Sequence, residues 1–208
     1  MTIEKGIRNI VFDLGGVLCG LSGERCISAL QSVGADAIAH YVAEHKVEDL
    51  FLRAELGEIS THAFCDEVRH ITGRALADES VVWAWNELLT GISDRRKARL
   101  LELRGSYRLF LLSNTNDMHW RRCADDFFPF TAADGRRYLV GDYFEKVFLS
   151  YELHLAKPSE EIFRRVLADA DIAAEQTLFI DDSPANCAAA ASLGIHTFHN
   201  RNIDDWLL

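Results

Sequence analysis

Asp13, Ser113-Asn114 and Asp181-Asp182 each stand where a short apolar run stops, and Lys157 lies just past another such run. Gathered in one place, these groups could carry out phosphoryl transfer. That chemistry needs a nucleophile, donors for the phosphoryl oxygens, a cation to mask the nucleophile's charge, and acidic ligands for a metal ion. Each residue also has an ordinary structural reading. A strand-terminal Asp often forms a turn, and Ser113-Asn114 could equally cap a following helix.

The elements that would position these residues are legible as alternating patterns. Ile7 to Phe12, Tyr107–Leu112, Val147–Leu149 and Thr177–Ile180, with a shorter Ile195–Phe198, read as strands buried on both faces. Helical patterns lie at Arg95–Leu103, Asn116–Phe127, Pro158–Ala168 and Pro184–Leu193. Pro158 is expected at a first helical position, and Gly194 just past a helix end. The alternation predicts an α/β fold, a doubly wound, mainly parallel sheet of Rossmann-like type. Such sheets bind ligands at the carboxyl ends of their strands, near the switch point, which is where the polar positions fall. Residues 21–91 show only helical periodicity, for example Phe64-Val68-Ile71 and Val82-Trp85-Leu89. They are expected to form a helical subdomain inserted into a core made of residues 1–20 and 92–208. Phe128–Asp142 is turn-rich and is expected to be an irregular surface loop.

The run Ile10-Val11-Phe12-Asp13-Leu14-Gly15-Gly16-Val17-Leu18 resembles the first motif of the haloacid dehalogenase-like hydrolase superfamily. Leu111-Leu112-Ser113-Asn114 resembles its second motif and Lys157-Pro158 its third. Phe179-Ile180-Asp181-Asp182-Ser183-Pro184-Ala185-Asn186 resembles the fourth. The motifs keep the family's order and span nearly the whole chain. The helical insertion resembles the α-helical cap of the branch that holds phosphoglycolate phosphatases, sugar-phosphate phosphatases and 2-haloacid dehalogenases.

The resemblance implies a Mg2+-dependent phosphatase of a small phosphorylated metabolite, with a sugar phosphate among the candidates. It implies that Asp13 attacks phosphorus and forms an aspartyl-phosphate. Mg2+ would be held by Asp13, the backbone oxygen of Gly15 and Asp182, with Asp181 and Asn186 in support. Ser113 and the Asn114 backbone would bind phosphoryl oxygens, and Lys157 would neutralise charge on Asp13 and the phosphoryl group. One position departs from the pattern. Most phosphatases of the family carry a second Asp two residues after the nucleophile, as general acid and base, and here Gly15 stands there. Substitutes to weigh are His119, the cap residues His40, His45 and His62, and Glu58 as a substrate contact. The alternatives are a 2-haloacid dehalogenase, or a weakly active binding or regulatory protein that kept the fold.

The formal net charge of −10 over 208 residues argues against nucleic acid and anionic lipid as general partners. A small phosphorylated substrate remains compatible, because lysine, backbone N–H groups and a metal can reverse the field locally. The five cysteines form no C-x-x-C pair and read as free, mostly buried thiols of a reducing compartment. No long apolar stretch opens the chain, so neither a signal peptide nor a membrane span is expected, and the cytoplasm is the expected location.

Overall fold

The computed structural model describes residues 3–44 and 49–207. β1 (Asn9–Phe12) leads through a tight turn to β2 (Gly20–Leu21). The helices α1 (Gly23–Ser32), α2 (Asp36–Ala43), α3 (Asp49–Glu55), α4 (Thr61–Thr72) and α5 (Asp78–Asn86) follow. β3 (Leu89–Gly91) returns the chain to α6 (Asp94–Arg104), β4 (Arg108–Ser113) and α7 (Asp117–Arg122), which continues as a π-helical turn over Cys123–Phe127. Then come β5 (Phe130–Thr131), β6 (Arg137–Tyr138), α8 (Val140–Tyr143), β7 (Lys146–Leu149) and α9 (Ser150–Leu153). α10 (Glu160–Ala170), β8 (Thr177–Asp181), α11 (Pro184–Ser192) and β9 (His196–His199) complete the sheet.

The main sheet has the order β7-β4-β1-β8-β9, and all its pairings are parallel. Alternate side chains serve opposite faces, as the pleat requires. Val11, Phe110, Leu112 and Phe179 pack with Ile162 and Phe163 of α10 and Ala190 of α11. Ile10, Phe12, Leu109, Leu111 and Ile180 pack on the other side with Leu100 and Leu103 of α6 and Tyr143 of α8. This is an α/β doubly wound fold. The chain leaves β1 toward β4 and β7, then crosses back to β8 on the other side of β1. The switch point therefore lies at the carboxyl ends of β1 and β8.

α1 to α5 pack around a hydrophobic core of their own, with Leu30, Ile38, Phe64, Val68 and Trp85 among its buried members. β2 and β3, the two chain passages into and out of this lobe, pair antiparallel with Gly20 opposite Gly91. Ser22 and Ser60 cap α1 and α4 by accepting from the N–H of Arg25 and Ala63.

Two local expectations change. The helix expected from Pro158 begins at Glu160, because the Ser159 hydroxyl caps it by accepting from the Glu161 N–H at 3.3 Å. The stretch from Phe128 to Asp142 is more ordered than a surface loop. It forms the β5–β6 hairpin, turned at Gly135 with φ +83° and clasped by Phe130 on Tyr138, and Phe128 anchors its start in the core. All five cysteines are free and buried. No helix among the described residues is long and apolar enough to cross a membrane.

Candidate active site

The register that aligns Phe12 with both Leu111 and Ile180 brings the ends of β1, β4 and β8 level. Asp13 and Asp181 are thereby neighbours, and Lys157 inserts between them. Its Nζ donates to Asp13 Oδ1 and to Asp181 Oδ2, both at 2.7 Å, and to the Leu112 carbonyl at 3.2 Å. Asn114 fixes the lysine's backbone from both sides, donating to its carbonyl and accepting from its N–H, each at 2.9 Å. The Asn114 side chain is thus committed to Lys157, while Ser113 and Asn114 both line the neighbouring cavity.

Asp181 is fully buried and saturated. Besides Lys157 it accepts from the Ser183 N–H at 2.8 Å and from Asn186 Nδ2 at 3.0 and 3.1 Å. Asp182 is exposed, and the carboxylates of Asp13, Asp181 and Asp182 lie within 4.8 Å of one another. The turn after β1 comes close to Asp182. Gly16 has φ +72°, and a Cβ there would collide with Asp182 Oδ2. Only glycine meets both demands. Asn200, fully buried past β9, donates to the Gly16 carbonyl at 3.1 Å, and Trp206 donates to the Val17 carbonyl at 3.0 Å. The C-terminal segment thus braces the turn that carries the site.

Charge in this cluster is unbalanced. Three carboxylates face one ammonium, which leaves two negative charges uncompensated. Burial pushes the Asp13 carboxyl up to about 6; the charge of Lys157 opposes this and that of Asp181 reinforces it. Burial, then Asp181, likewise raises Asp182. Burial alone would lower Lys157, but the two aspartates overcome it and hold the ammonium above its usual range. The Gly15 carbonyl accepts no hydrogen bond among the described residues. Oxygen donors with excess negative charge suit a hard divalent cation such as Mg2+.

A cavity of about 400 Å3 adjoins the cluster, between the sheet and the helical lobe. Gly15, Ser113 and Asn114 line it on one side, and Phe51, Glu55 and Trp85 on the other. A larger cavity, about 800 Å3, opens between α4 and α7, but neither Gly15, Ser113 nor Asn114 lines it.

Of the histidines weighed as proton donors, His119 is buried and fully used. Its Nε2 donates to the Trp85 carbonyl at 3.2 Å, its Nδ1 accepts from Asn116 Nδ2 at 3.2 Å, and burial lowers its pKa to about 4. His62 is on the surface, paired with Asp78 at 2.8 Å, and His40 and Glu58 are exposed. His45 lies outside the described residues. Sequence reasoning missed Glu55 and Asn200. Glu55 ends an amphipathic helix and reads as a solvated charge, and Asn200 reads as part of a polar tail.

A family model described as haloacid dehalogenase-like hydrolase matches residues 7–194. The chain is 34% identical over 203 residues to the D-ribitol-5-phosphate phosphatase of Bacteroides thetaiotaomicron, covering 96% of this chain and 95% of that one. It is also similar to a solved haloacid dehalogenase family enzyme of Bacteroides thetaiotaomicron in complex with magnesium and inorganic phosphate. That match has 41% identity and a TM-score of 0.90, over 97% of this chain and 98% of the other. A solved hydrolase of the same family type from Porphyromonas gingivalis matches at 38% identity and a TM-score of 0.85, over 97% and 95%.

Proposed function

This chain belongs to the haloacid dehalogenase-like hydrolase family, and from that premise we propose a Mg2+-dependent phosphatase that acts on a small phosphorylated polyol or sugar through Asp13. The observation that carries this reading is the Asp13–Lys157–Asp181 bridge with Asp182 beside it. Two relatives support it by what they are: one is a phosphatase of a polyol phosphate, the other a magnesium and phosphate complex.

The residues divide the work as follows. Lys157 occupies Asp13 Oδ1, so Oδ2 is the atom left to attack phosphorus. That attack forms an aspartyl-phosphate and breaks the bond from phosphorus to the leaving oxygen; water then attacks phosphorus, releasing phosphate and restoring the carboxylate. Ser113 and the Asn114 N–H receive phosphoryl oxygens at the end of β4. Lys157 screens the nucleophile from the dianion it approaches. Asp181, held by Asn186 and the Ser183 N–H, fixes Lys157 in place. Asp13, the Gly15 carbonyl and Asp182 would hold Mg2+, which supplies charge neutralisation for the phosphoryl oxygens. Residues 21–91 act as a cap that closes over the site, and the two Gly20/Gly91 passages are its hinges. A carbon displacement of the dehalogenase kind has no use for the acidic cluster around Asp182. Absence of metal from that chemistry therefore counts against it here.

The test is hydrolysis of p-nitrophenyl phosphate. Wild type is expected to turn it over with Mg2+ and to lose the activity on chelation, and Asp13→Asn to be inactive. Equal rates for wild type and Asp13→Asn, with and without Mg2+, would rule out the phosphatase reading.

A further inference from the structure

The two sides of the cavity beside Asp13 differ in chemistry. The sheet side offers the phosphate-binding groups. The lobe side is largely apolar, with Phe51, Leu88 and Leu89 in its wall. One charged group interrupts that wall. Glu55, the last residue of α3, is half-buried, and its carboxylate makes no hydrogen bond or ion pair among the described residues. Beside it Trp85, 7% exposed with its indole Nε1 enclosed, forms a fixed aromatic part of the wall. It is stacked between Phe51, with centroids 4.8 Å apart, and His119, at 5.2 Å.

An acceptor left unpaired in a largely apolar wall costs free energy until a ligand matches it. A hydroxyl can donate to it. The C–H faces of a short carbon chain suit the aromatic and aliphatic surface around it. Burial raises the Glu55 carboxyl while the charge of Lys157 opposes the rise, so the carboxyl is desolvated yet feels the field of the phosphate site.

We propose that Glu55 is a specificity-determining residue that accepts a hydrogen bond from a hydroxyl on the carbon chain of a phosphorylated polyol. The proposal rests on the phosphatase reading and names which phosphate ester the site takes. The phosphate binds at Ser113 and Asn114, and the hydroxylated chain extends toward α3.

The test compares ribitol 5-phosphate with propyl phosphate, which places the same phosphate on a hydroxyl-free chain. Wild type prefers ribitol 5-phosphate in kcat/KM. Glu55→Leu lowers that preference on the order of 10- to 100-fold. Glu55→Gln lowers it in the same direction by less, and serves if the leucine variant does not fold. An unchanged preference in the Glu55 variants overturns the proposal. An equal loss on both esters overturns it too, because that pattern belongs to a proton donor or to a structural residue. Calorimetric binding of both esters to Asp13→Asn and to Asp13→Asn/Glu55→Leu reads the same preference without turnover. If wild type hydrolyses neither ester, p-nitrophenyl phosphate turnover decides the phosphatase reading separately, and the binding preference still decides the role of Glu55.

Discussion

At the scale of single residues, Gly15 separates this site from most phosphatases of its family. The residue has no positive φ, and a Cβ there would sit 3.1 Å from Leu21 Cδ1, the end of a flexible and half-exposed side chain. An aspartate can therefore be accommodated if Leu21 moves by a few tenths of an ångström. A positioned general acid contributes roughly 10²- to 10⁴-fold in rate. Gly15→Asp is expected to raise kcat about 100-fold on an alkyl phosphate and much less on p-nitrophenyl phosphate, whose leaving group needs little help. No gain on the alkyl ester would mean that another group already supplies the proton. This departure was legible in the sequence through the resemblance of its four motifs, as were Asp13, Lys157 and Asp182, and Asp13 and Asp181 also stand where short apolar runs stop. Glu55 was not legible. Nothing in a helix of seven residues says which of its charges faces solvent and which faces a cavity.

At the scale of elements, α5 and α7 are joined through one buried histidine. His119 on α7 stacks on Trp85 of α5 with an interplanar angle of 9° and donates to its carbonyl. Both ring nitrogens are satisfied only in the neutral form, and burial lowers the pKa from 6.5 to about 4. Between those values the unfolded chain binds more protons than the native one. The stabilisation is complete above pH 6.5, falls as pH drops through that window, and is flat below about 4. At pH 5 the loss comes to about 2 kcal/mol. His119→Phe keeps a stacking ring but removes the titration. Its stability at pH 7.5 is expected to be lower than wild type, and the gap should narrow by about 2 kcal/mol by pH 5 in urea unfolding. A gap that stays constant across this range would mean that His119 is not held neutral. In the sequence this histidine stood beside the second motif and read as a candidate acid, because spacing does not reveal that an inserted helix packs on it. The edge strand β9 is only partly buried, against its expected burial on both faces, but the inner strands β1, β4 and β8 posed no such ambiguity. Their both-face burial leaves an uninterrupted apolar run, and that pattern survives without knowledge of any partner.

At the scale of the whole molecule, side-chain hydrogen bonds tie the helical lobe to the α/β core beside α3 and α4, and the proposed closure has to work against them. Near α3 the His154 Nδ1 donates to the Leu56 carbonyl at 2.7 Å, and near α4 the Thr61 hydroxyl donates to Asp117 at 3.1 Å. Between these contacts stands Gly57, with φ +67°, where a Cβ would collide with the Tyr151 carbonyl of the core. Gly73 has nearly the same φ, +65°, but it closes α4 on the far side, with nothing within 4 Å of a Cβ. The pair separates backbone strain from lobe contact. Alanine at either position is expected to cost about 1–2 kcal/mol in denaturant unfolding, because an L residue is strained at positive φ. Gly57→Ala should additionally push the lobe away from α9 and so disturb the proposed closure over the site. It is expected to lower kcat/KM on p-nitrophenyl phosphate by 10-fold or more, with kcat and KM changing together, as hinge and closure variants do. Gly73→Ala should lose stability without that kinetic effect. If the two variants lose activity in proportion to their stability alone, the Gly57 contact does not govern closure.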